Sequence, residues 1–156
     1  MSEEDTGGPS GETPGEDGTF WVDANVLLRF LTGEPPELAG RAQDFLESAG
    51  RGEVSVRVHP VVVAETVWVL ESFYGHPRER IASSLAALLE GPALAVENKR
   101  VTLRALETMA TENVDLADAL ISETACARGE AVASFDRKDF RKLARRTGLR
   151  WREPGG

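Results

Sequence analysis

Five short runs rich in apolar and β-branched residues alternate with longer segments of helical periodicity, and this alternation limits the folds open to the chain. The runs are TFWV at 19–22, VSVRV at 54–58, ALAVE at 93–97, AVASF at 131–135 and LRW at 149–151. Every connection between them is long enough for a helical crossover, so the strands are expected to be parallel and covered by helices on both faces. The fold class is therefore α/β, with ligands expected beyond the carboxyl ends of the strands.

The intervening segments read as helices. Pro35 and Pro36 introduce ELAGRAQDFLESAGRG, in which Leu38, Ala42, Phe45, Leu46 and Ala49 recur at helical spacing and Gly50 and Gly52 bring the helix to an end. After His59 and Pro60, VVVAETVWVLESFYG is too long for one buried strand and reads as a helix despite its β-branched residues. PRERIASSLAALLEG and RVTLRALETMATEN are amphipathic helices, LADALISETACARGE is a helix closed by Gly129, and FRKLARRTG is a basic helix.

At 156 residues the chain fits one domain that needs neither disulfide nor structural metal. Residues 1–18 have no periodicity, much Gly and Pro, and only acidic charge, so they are expected to be a disordered tail before a folded domain at 19–156. Cys126 is the lone cysteine and reads as a small core residue. No export signal or long apolar run is present, and a cytoplasmic location away from membranes is expected.

Net charge is −8, but the tail supplies six of the acids and none of the bases. The remaining 20 acids and 18 bases leave residues 19–156 at about −2. From Arg137 onward the balance reverses, with Arg137, Lys138, Arg141, Lys142, Arg145, Arg146, Arg150 and Arg152 against Asp139 and Glu153. A basic face on a nearly neutral domain suits a phosphate-rich substrate, and equally a solvated helix.

Four acids stand among apolar residues: Asp23 after Phe-Trp-Val, Glu65 within Val61 to Leu70, Asp118 between Leu-Ala and Ala-Leu-Ile, and Asp136 after Ala-Val-Ala-Ser-Phe. A carboxylate withdrawn from water costs several kcal/mol unless a cation or donors compensate it. Asp23 and Asp136 fall at the ends of strands, and Glu65 and Asp118 near the starts of helices, so all four are able to meet at one sheet edge. Clustered carboxylates raise one another's pKa unless a divalent ion lies between them. Oxygen ligands without Cys or clustered His suit Mg²⁺ or Mn²⁺. His59 and His76 are isolated and read as structural or exposed. Each acid also has a local reading: Asp115 as a helix cap, Asp118 as a first-turn charge, Asp136 as a turn residue and Asp139 as the start of the last helix.

These segments together resemble the PIN-domain family, in particular VapC-type toxins. VDANVLLRFL resembles its D-x-N-V-L-L-R opening, VVVAETVWVLES the segment with a second acid and a V-W-V-L tail, DLADALISETACARG the D-F-A-D-A-L-I element, and VASFDRKDFRKL the closing T-F-D-x-D-F element. The resemblance covers almost all of residues 20–152 and implies a Rossmann-like parallel sheet. It implies a metal site of Asp23, Glu65, Asp118 and Asp136, with Asn25, Ser134 and Asp115 in support, and endoribonuclease activity dependent on Mg²⁺ or Mn²⁺. It also implies an RNA substrate, a homodimer and a VapB-like antitoxin. Ser134 departs from the usual Thr, and the acidic tail is foreign to the pattern. Two other readings remain: a PIN-fold module that binds RNA or antitoxin without cutting, and a receiver-like phospho-acceptor domain. The latter would not require Glu65 or acids at four separate connections.

Overall fold

The computed structural model describes residues 18–155, so the expected tail lies outside the described residues apart from Gly18. Strand β1 (Thr19–Trp21) pairs with β2 (Ser55–Val58), which pairs with β3 (Ala95–Val96), both in parallel, with Phe20 opposite Val56 and Val58 opposite Val96. A second parallel ladder joins β4 (Val132–Ala133) to β5 (Trp151–Arg152). All five expected strands are present and parallel, as three- and two-stranded sheets. Each spans only two to four residues, so helices supply most of the core.

The helices are α1 (Ala24–Thr32), α2 (Pro36–Gly50), α3 (Pro60–Ser72), α4 (Arg78–Glu90), α5 (Lys99–Glu112), α6 (Leu116–Arg128) and α7 (Arg137–Thr147). Pro60 begins α3 because the first helical N–H needs no partner, and His59 Nδ1 accepts the N–H of Val61 at 3.0 Å. Gly50 lies inside α2 rather than after it, and the chain turns at Gly52, where φ is +77°. Gly129 closes α6 as expected, in the left-handed conformation that lets its N–H reach back to Cys126 O.

α5 packs on α4 and α6, α6 on α7, and α3 on both α1 and α6. Leu27, Leu70, Ile81, Leu85, Leu89, Leu106, Met109 and Leu143 are fully buried between these layers. Burying one such side chain is worth roughly 1.5–3 kcal/mol. The apolar sequence of α3 is thereby divided: Val63, Thr66, Val67 and Leu70 face the core, while Val61, Glu65 and Trp68 face outward. Among the described residues no helix is long and apolar enough to cross a membrane.

Candidate metal centre

The N-termini of α6 and α7 bring three carboxylates together. Asp118 stands in the first turn of α6, Asp136 is the N-cap of α7, and Asp139 lies in the first turn of α7. One carboxylate oxygen from each lies within 4.8 Å of those of the other two. Two positive helix termini thus face the group and offset part of its mutual repulsion.

The turn between β4 and α7 is fixed from both sides. Ser134 N–H donates to Arg152 O in β5 at 3.1 Å, and Ser134 Oγ accepts the N–H of Asp136 at 3.0 Å. Asp136 Oδ1 then accepts the N–H of Asp139 at 3.0 Å, so the capping bond also sets the separation of the two acids. Ser134 Oγ thus holds the main chain that presents Asp136.

Asp115 departs from its expected part. Its backbone is extended at the N-cap position, yet its side chain makes no capping bond. The carboxylate instead accepts from Arg78 Nη2 at 2.7 Å, and the same guanidinium donates to Glu71 and Asn113. A strong charged donor outside the helix has displaced the weaker capping bond.

Asp118 is half-buried, and its pKa is raised, first by removal from water and then by the charges of Asp115, Asp136 and Asp139. Among the described residues no salt bridge joins Asp118, Asp136 or Asp139 to a Lys or Arg. Three carboxylates at this spacing without a Lys or Arg partner among the described residues, all hard oxygen donors, fit a divalent ion such as Mg²⁺ or Mn²⁺.

The structure brings together two of the four expected acids. Asp118 and Asp136 converge; Asp23 and Glu65 stand outside the compact group of three. Asp23 is exposed and caps α1, its Oδ1 accepting the N–H of Val26 at 3.3 Å. Glu65 is exposed on α3, so its apolar sequence neighbours do not withdraw it from water. Asp136 is exposed too, leaving Asp118 as the one of the four that is partly desolvated. Asn25 is exposed beside Asp23 in the first turn of α1. The sequence reading gave Asp139 only a helix-starting role. Its three-residue spacing from Asp136 was the available signal, because at a helix start that spacing puts both carboxylates at one end. His59 caps α3 through its Nδ1. Cys126 is half-buried, its Sγ 3.5 Å from Thr147 Oγ1.

A PIN-domain family model matches residues 20–146, more than half of the chain, and the chain belongs to the PIN-domain family. Within that family its relationship is to the VapC type. The VapC ribonuclease of Aquifex aeolicus (strain VF5) is 32% identical to it over 127 residues, which cover 81% of this chain and 93% of that protein.

Proposed function

We propose that this chain is a metal-dependent endoribonuclease of the VapC type, acting on RNA phosphodiester bonds. The observation that carries this reading is the convergence of Asp118, Asp136 and Asp139 at two helix N-termini, with no Lys or Arg paired to them among the described residues. In this reading Asp23, Asp118 and Asp136, joined by Asp139, hold one or two Mg²⁺ or Mn²⁺ ions directly or through water. The ion would lower the pKa of a bound water and offset charge developing on the phosphoryl oxygens. Glu65, exposed and outside the compact group, is free to orient the attacking water by accepting its hydrogen bond. Asn25, two residues after Asp23, would support that carboxylate, while Ser134 holds the turn that presents Asp136. Asp115 supports the site at a distance, adding negative field at Asp118.

The partners of such an enzyme follow from its hazard. A VapB-like antitoxin would restrain it, offering a basic side chain to the acids and an apolar segment to the exposed Val61, Trp68 and Phe73. The active form would be a cytoplasmic homodimer, with 19–156 as the nuclease domain and 1–18 as an acidic tail dispensable for folding.

Incubation of the purified protein with structured RNA and Mn²⁺, with and without EDTA, tests the activity. Cleavage that requires the ion and disappears in Asp23→Asn supports the reading. Undiminished cleavage in EDTA, or by that variant, would overturn it.

A further inference from the structure

We infer that the exposed face of α7, together with Trp151, is the track along which a single RNA strand approaches the acids. This inference rests on the ribonuclease reading above and adds where the substrate lies. α7 carries Asp136 and Asp139 at its start and then becomes basic, with Lys138, Arg141 and Arg145 following at i, i+3 and i+7. That spacing places the three cations on one face over about 10 Å of helix. All three are exposed.

Their neighbours are engaged inside the protein. Arg137 Nη2 donates to Glu153 at 2.8 Å, Arg146 to Glu107 at 3.1 Å, Lys142 to Glu112 O at 3.3 Å and Arg150 to Gly129 O at 3.0 Å. Among the described residues Lys138, Arg141 and Arg145 enter no salt bridge. Like charges one turn apart weaken a helix by a few tenths of a kcal/mol per pair, and Glu153, bonded to Arg137, offsets this only in part at Arg141.

The groove beside this row, about 600 Å³, is lined by Lys138, Arg141, Arg145 and Trp151. Trp151 is half-buried, its ring 6.1 Å from that of Phe140. Cations that track phosphates beside an aromatic surface that stacks a base are what a single strand requires, whereas an acidic peptide would use the cations alone. Asp136 and Asp139 stand at the N-terminal end of the same helix, so a strand following the row in that direction reaches the acid group by passing round the start of α7.

The test is binding of a fluorescein-labelled oligouridylate to the full chain in EDTA, followed by anisotropy from low to moderate salt. Lys138→Ala/Arg141→Ala/Arg145→Ala should weaken binding about tenfold or more at low salt and flatten the dependence of log affinity on log salt by about 2. A control removing three exposed cations elsewhere, Arg41→Ala/Arg80→Ala/Arg100→Ala, should change both much less. Equal losses in the two triple variants, no loss in the first, or no binding by the wild type would each overturn the track, and no loss would leave the row to an acidic protein partner. Because no metal is present, the outcome is independent of catalysis. A wild type that binds through the row but fails to cleave with Mn²⁺ would refute the ribonuclease reading and leave the track standing.

Discussion

Arg78 Nη2 donates to the carboxylate of Asp115 at 2.7 Å, and its Nε donates to Glu71 at 3.2 Å, so one guanidinium joins the end of α3, the start of α4 and the start of α6. The side chain of Arg78 is only 18% exposed, and the bonds it makes hold the helix that carries Asp118.

Arg78→Ala should therefore destabilise the protein by about 1–2 kcal/mol, since charged hydrogen bonds are lost but Glu71 and Asp115 keep access to water. A urea midpoint lowered with unchanged slope would show it. A midpoint equal to that of the wild type would mean that the three elements are held without this residue.

The raised pKa of Asp118 gives stability a definite pH dependence. The folded state holds this proton more tightly than the unfolded chain, so the contribution is full below the ordinary aspartate range, near about 4, and is lost as pH rises through the raised value. Asp118→Asn should consequently raise the melting temperature of the metal-free protein at pH 7, with the gain shrinking toward pH 3. Mg²⁺ should stabilise the wild type and have little effect on the variant. A gain that is the same at both pH values would disprove the electrostatic origin.

Asp136 caps α7 and, in the proposed reading, also holds the metal, and one substitution separates the two. Serine caps helices about as well as aspartate, so Asp136→Ser should keep α7 stable to within about 0.5 kcal/mol. It should weaken Mn²⁺ binding, measured by calorimetry, by about tenfold or more, with a parallel loss of cleavage. Unchanged Mn²⁺ affinity would remove Asp136 from the metal site.

Asp139→Asn should weaken Mn²⁺ binding comparably and leave the capping bond intact, because the bond uses the backbone N–H of residue 139 and not its side chain. An unaltered affinity would return Asp139 to the helix-starting role that sequence suggests for it.

Thr102 lies fully buried in α5, and among the described residues its Oγ1 has no hydrogen-bond partner. Thr102→Val keeps the shape and removes the unsatisfied hydroxyl, and should stabilise the protein by about 1 kcal/mol. A lower denaturation midpoint would show that the hydroxyl is satisfied in solution.

The order of strands and helices was legible because alternating periodicities survive whatever packs against them, as at VSVRV and the Pro60-initiated helix. Local capping was less legible, because Asp23, Asp115 and Asp136 look alike in sequence and only the partner decides. Arg78, 37 residues before Asp115, takes that carboxylate away from its helix, whereas among the described residues no such donor reaches Asp136. Glu65 misled for a related reason. Apolar neighbours in sequence imply burial only if both sides of a helix are covered, and α3 leaves Trp68 67% exposed on its outer face. The convergence of Asp118 and Asp136 was foreseen from strand ends and helix starts, while Asp139 was hidden behind the adequate explanation of a first-turn charge.

The backbone bonds from Val132 and Ser134 to Arg150 and Arg152 also bear on the order in which a ribosome makes this molecule. Asp23 and Glu65 are made long before the turn that presents Asp136, and that turn acquires its register only when β5 has been synthesised. A growing chain stopped short of Arg152 therefore carries its acids without the contact that aligns them. The turn that presents Asp136 is therefore completed only after every one of these acids has been made.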